Sequence, residues 1–181
     1  MAVLRTAWAA LIAVSLIATA HAAPGEYQIK AVFLLNFSRF VEWPATTFES
    51  PDAPFVVGVF GEDPFGEDLD QVMQDETVHG RPIVVRRIAS PQEAAQCQIL
   101  FVHQWAGAPM SKVLDAIVAT GTLTVSDDEG AAQRGAMIGL VTQNNHVKLQ
   151  VDANRARDAG LTISSNLLRS AQIVNGGRSG S

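Results

Sequence analysis

The chain has 181 residues, 48% hydrophobic and 17% charged, a balance that fits one packed domain and excludes a disordered chain. Thirteen Lys and Arg stand against 18 Asp and Glu, and the densest basic spots are only Arg86-Arg87 and the Arg155/Arg157 pair, so nucleic acid is excluded as a partner. A single cysteine, Cys97, excludes an internal disulfide.

Residues 1–22 carry the order of a secretory signal. Arg5 gives a positive start, Ala7 to Thr19 is an apolar run, and Ala20-His21-Ala22 has the small-x-small form of a cleavage site. The run is shorter than the ~20 apolar residues that span a bilayer. No cysteine sits near the cleavage site to take a lipid. Export to the periplasm is the expectation, and loss of Arg5 leaves 12 basic and 18 acidic residues, a net charge of −6.

After the signal, Glu26 to Trp43 reads as a helix with Ile29, Phe33, Phe37 and Phe40 or Val41 on one face, stopped by Pro44. It is unusually aromatic, so it is either a core helix or also a contact surface. From residue 54, short apolar runs alternate with helical stretches. Phe55–Phe60, Ile83–Ile88, Gln98–His103 and Thr122–Ser126 read as strands; Pro64–Gln74, Pro91–Gln96 and Met110–Ala119 read as helices. Strands rich in Val and Ile separated by helices imply βαβ units and a mainly parallel sheet covered on both faces.

The C-terminal third changes style. Ala136–Thr142 and His146–Val151 read as strands flanking Gln143-Asn144-Asn145, where the asparagines tolerate the positive φ of a tight hairpin. Asp152 caps a helix through Arg157 that Gly160 ends, and Ser164 or Ser165 caps a last helix through Ile173. The fold class is therefore α/β: a three-layer sandwich with a mainly parallel central sheet, an antiparallel C-terminal hairpin and an N-terminal aromatic helix. The domain spans 23–174, and 175–181 is a flexible tail.

The residues that could carry chemistry are few. The acidic stretch Glu62 to Asp70 reads as helix capping, with Asp63 as N-cap and Pro64 at the first helical position, because the alternate-oxygen spacing of a calcium loop is absent. Asp127 and Asp128 follow a parallel strand, at the edge where open α/β sheets place ligand sites. Arg155 and Arg169, on the closing helices, could form an anion-receiving edge or simply be solvated. His79, His103 and His146 are scattered without metal-ligand spacing, and no nucleophile elbow, phosphate loop or dinucleotide fingerprint occurs. The expectation is a binding protein rather than an enzyme, with no cofactor and no metal. Phe37, Phe40 and Trp43 are its expected apolar anchors, since aromatics dominate interface hot spots.

Tyr27 to Phe37 with Phe40-Val41-Glu42-Trp43-Pro44, then Val57-Gly58-Val59-Phe60-Gly61, Ala136 to Val141, and Ile163-Ser164-Ser165 through Leu167-Leu168 resemble the YfiR family, the DUF4154 domain. The likeness runs from about Tyr27 to Val174. It implies a periplasmic α/β protein that forms homodimers and represses an inner-membrane diguanylate cyclase by binding its periplasmic portion. It further implies that an OmpA-like outer-membrane lipoprotein draws the repressor away, releasing cyclic di-GMP synthesis and biofilm formation. Some relatives pair several cysteines, whereas Cys97 stands alone here. A periplasmic small-ligand receptor is the alternative, resting on Asp127 and Asp128 and on the arginines.

Overall fold

A computed structural model describes residues 25–104, 108–117 and 120–174. The expected signal, the tail 175–181 and the last two residues of the helix expected over Met110–Ala119 lie outside the described residues. Helix α1, Glu26–Phe40, opens with the Gln28 side chain accepting a hydrogen bond from Gly25 N at 3.3 Å. It ends because Val41 turns extended, three residues before Pro44, and Val41–Glu42 becomes strand β1.

The remaining elements in chain order are β2 (Phe55–Phe60), α2 (Asp68–Met73), β3 (Thr77–Val78), β4 (Arg81–Ile88), α3 (Pro91–Ala94), β5 (Ile99–Val102), α4 (Ala108–Ile117) and β6 (Leu123–Ser126). They continue with α5 (Ala131–Arg134), β7 (Ile138–Gln143), β8 (His146–Val151), α6 (Ala153–Asp158), β9 (Thr162–Ile163), α7 (Ser165–Arg169) and β10 (Gln172–Ile173). Eight strands form one sheet in the order β10-β8-β7-β6-β5-β2-β4-β3, and β1 pairs antiparallel with β9 in a small second sheet.

From β4 to β7 every pairing is parallel, with Val57 opposite Ile99, Ile99 opposite Leu123 and Val125 opposite Ile138. Strands β2, β5 and β6 are buried almost throughout because both faces are covered, whereas β4, farther out, exposes Arg86 and Arg87. Val57, Val59, Phe101 and Val125 join one core with α1, α2, Ala156 of α6 and Leu167 of α7. Val56, Leu100 and Val102 join a second core with Ala94 of α3, Val113 of α4 and Ala131 of α5. The result is the expected three-layer α/β sandwich.

The hairpin is as expected, β7 and β8 being antiparallel with Gln143 opposite His146 and both Asn144 and Asn145 at positive φ. Asp152 caps α6 by accepting from Arg155 N at 3.0 Å, and Gly160 leaves the helix at φ +81. Three expectations are corrected. The helix expected over Pro64–Gln74 begins only at Asp68, because Gly66 sits in the left-handed region at φ +56, where a helix cannot run. Asp63 therefore caps nothing: its Oδ1 accepts from Phe65 N at 2.8 Å, closing a turn, while Oδ2 accepts from Arg87 Nε. The last helix stops at Arg169, and Gln172–Ile173 instead add a strand parallel to β8.

The third correction concerns α1. Its buried side chains are Lys30, Ala31, Leu34, Leu35, Phe37 and Ser38, whereas Ile29, Val32 and Phe40 are exposed and Phe33 is half-buried against the core. The helix carries apolar side chains on more than one face, so periodicity could not choose which would be covered.

Candidate functional site

The carboxyl ends of β2, β5 and β6 meet at one edge of the sheet. Strand β2 has β4 on one side and β5 on the other, so the strand order reverses there, which is where open α/β sheets place their ligand crevice. Asp127 directly follows β6 and His103 directly follows β5. Helix α1 crosses this edge and lowers Tyr27 and Lys30 onto them.

Asp127 accepts from Tyr27 Oη and from Lys30 Nζ, each at 3.0 Å, and its carboxylate lies 3.0 Å from His103 Nδ1. Lys30 also pairs with Glu26 Oε1 at 2.5 Å, and Thr142 Oγ1 donates to that carboxylate at 2.7 Å. The Lys30 and Asp127 side chains retain only 2% and 3% of their exposure. Burial by itself raises the Asp127 pKa, but hydrogen bonds from His103 and Lys30 outweigh it and hold the carboxyl below its usual range. The Tyr27 hydroxyl is pushed well up, first by burial and then by the Asp127 charge. Its ring meets Phe65 edge-on at 5.5 Å, and Phe65 meets Phe101 at 4.6 Å. Through these contacts the cluster clasps α1 to the ends of β5 and β6.

A second feature lies between α1 and α2. Ile29, Val32 and Phe33 face Val72 across a groove of about 480 Å³, with Gln28, Asn36, Asp68 and Gln71 completing the lining. Ile29 is 36% exposed, Val32 46% and Phe40, farther along α1, 39%. These exposed apolar side chains share one side of α1.

The expected site residues divide accordingly. Phe37 is fully buried in the core. Trp43 is half-buried: its ring meets Phe55 edge-on at 4.9 Å and its Nε1 donates to Gln98 O at 3.2 Å. Of the three aromatics, Phe40 alone faces solvent. Asp127 is at the cluster, whereas Asp128 next to it is half-buried with Arg134 3.9 Å away. Arg155 lies 3.7 Å from Asp152, and Arg169 donates to Asn166 on its own helix, so neither arginine reaches Asp127.

Sequence reasoning missed Tyr27, Lys30 and His103, and it missed Ile29 and Val32 as surface residues. Lys30, alone among apolar neighbours, was a legible signal, because a buried ammonium requires a carboxylate. The exposure of Ile29 and Val32 had none. Among the described residues no helix is long and apolar enough to cross a membrane, and no three His, Cys, Asp or Glu side chains gather to hold a metal ion.

Comparison with protein families gives a match to the model described as DUF4154, YfiR/HmsC-like, over residues 27–172. No curated protein sequence matches the chain.

Proposed function

Because the chain belongs to the YfiR/HmsC-like family, we propose that it is a periplasmic regulatory protein that binds the periplasmic portion of an inner-membrane diguanylate cyclase and holds the enzyme inactive. The observation that carries this reading is the exposed apolar strip of α1 beside the α2 groove, a surface for a protein rather than for a reaction. Repression requires only that the protein bind the inactive cyclase more tightly than the active one, and a tenfold preference corresponds to about 1.4 kcal/mol. An OmpA-like outer-membrane lipoprotein that binds the repressor releases the cyclase by mass action, and the repressor itself is a homodimer.

The test is deletion of the gene in a strain whose cognate cyclase is intact. Cellular cyclic di-GMP rises if the protein represses that cyclase; an unchanged level sinks the reading. A small-ligand receptor is the second reading, favoured by the charged cluster at the strand-order reversal. It is the weaker one, since Lys30, Tyr27 and His103 already occupy the Asp127 carboxylate and a ligand would have to displace them. A panel of amino acids, nucleotides and metabolites at 100 times their dissociation constants would add ~2.7 kcal/mol wherever one binds. A panel without any thermal shift removes this reading.

A further inference from the structure

We propose that the groove between α1 and α2 receives an amphipathic helix of the partner protein, with a lysine or arginine of that helix set against Asp68. The inference rests on the regulatory reading above and specifies the chemistry of the partner segment.

The shape of the seat comes from two helices. At about 100° per residue, Ile29, Phe33, Asn36 and Phe40 fall within about 60° of one another around α1, with Val32 beside them. The strip from Ile29 to Phe40 is about 16 Å long, or three helical turns. Val72 on α2 forms the opposite wall. Two packed helices offer a guest only side-chain ridges and no open backbone edge, so the complementary guest is a third helix with apolar residues at i, i+3 or i+4, and i+7 rather than an added strand.

Charge selects the kind of helix. Among the described residues Asp68 is the sole charged residue lining the groove, and its Oδ1 accepts from the neutral amide of Gln28 at 3.2 Å. Glu67, just before α2, and Asp70, held by Arg87, line a separate pocket with Met73 and Ile83, so Asp68 carries the charge of the groove. A guest cation beside Asp68 gains an ion pair at the rim, and a guest carboxylate meets repulsion. A second copy of this chain offering the same face would bring another Asp68 and no cation among its lining residues, so the complementarity favours a basic partner over self-association here.

The experiment places the photo-reactive residue p-benzoylphenylalanine at Val32 of the full chain, in the native host, in a variant that complements the deletion phenotype. The cross-linked partner peptide is sequenced by mass spectrometry. The expected adduct is with a segment of a membrane protein that has helical apolar spacing and a lysine or arginine. Asp68→Lys should cut its yield at least fivefold per folded protein, and exchanging the mapped basic residue for glutamate should restore it. An adduct only with a second copy, only with lipid or with a non-helical segment overturns the proposal. So does the lack of any adduct, or a yield indifferent to Asp68→Lys. The two readings fail separately: a rise in cyclic di-GMP on deletion without this adduct leaves the regulator standing and removes the groove. The adduct with unchanged cyclic di-GMP keeps the groove and removes the cyclase.

Discussion

Lys30 donates to Asp127 across 97 residues of chain, and water reaches almost nothing of either side chain. One contact thus joins the opening helix to the end of a central strand. The ammonium is tolerated inside the protein because Asp127 and Glu26 both face it.

Lys30→Met keeps the side-chain volume and removes the charge. Asp127 is then buried with less compensation, and the expected loss is about 3 kcal/mol, the low end for breaking a buried pair, since Tyr27 and His103 still donate. For a chain of this size that lowers the melting temperature by about 6 to 12 °C. Adding Asp127→Leu should recover part of it. A Lys30→Met melt within 2 °C of the parent, by circular dichroism, would show that the pair contributes nothing.

Acid should weaken the same clasp with a defined sign. The Asp127 carboxyl sits below its ordinary value in the fold, so its contribution is complete above the unfolded-state value, about 3.9, and fades as pH falls through the folded one. Glu26 is lowered as well, chiefly by its hydrogen bond from Lys30. Urea midpoints from pH 6 to pH 3 should therefore separate the parent from Asp127→Asn most at pH 6, with the gap closing below about pH 4. A gap constant over that range would contradict the assignment.

Phe37 and Phe40 lie three residues apart on α1 and should behave as different residue classes. Phe37→Ala opens a hole in the core at a cost of about 3–5 kcal/mol, while Phe40→Ala should cost less than about 1 kcal/mol. Denaturant midpoints decide this directly. Equal losses would mean that Phe40 supports the fold and is not a free surface.

Most of the sheet was legible, since Phe55–Phe60 is an apolar run and Thr122–Ser126 an alternating, β-branched one, both too short for helices and bounded by turn residues. Asn144-Asn145 announced its own turn. What stayed hidden depended on distant partners. The two-residue strands β1 and β9 exist only because Val41 meets Ile163, and neither has a run of its own. At the site, Asp127 was legible from its place after a strand, but its three donors come from positions 27, 30 and 103, which no local pattern joins.

Cys97 offers another check. A Cβ built on Gly58 would stand 2.5 Å from the Cys97 sulfur, so Gly58→Ala should cost about 1–3 kcal/mol by overpacking, and much less in a Cys97→Ala background. Burial also pushes the thiol up to about 11, so a thiol reagent at pH 8 should label it only after unfolding. Independent, additive losses would show that the sulfur is not what fills the space over Gly58.

The pairing of Val41 with Ile163 has a consequence for synthesis. The chain is made from its N-terminus, yet the first helix is secured at one end by residue 127 and at the other by residues 162 and 163. A fragment that ends before residue 162 has no partner for Val41 and Glu42. Closure of α1 at both ends is therefore a long-range event, of the kind that slows folding relative to local contacts.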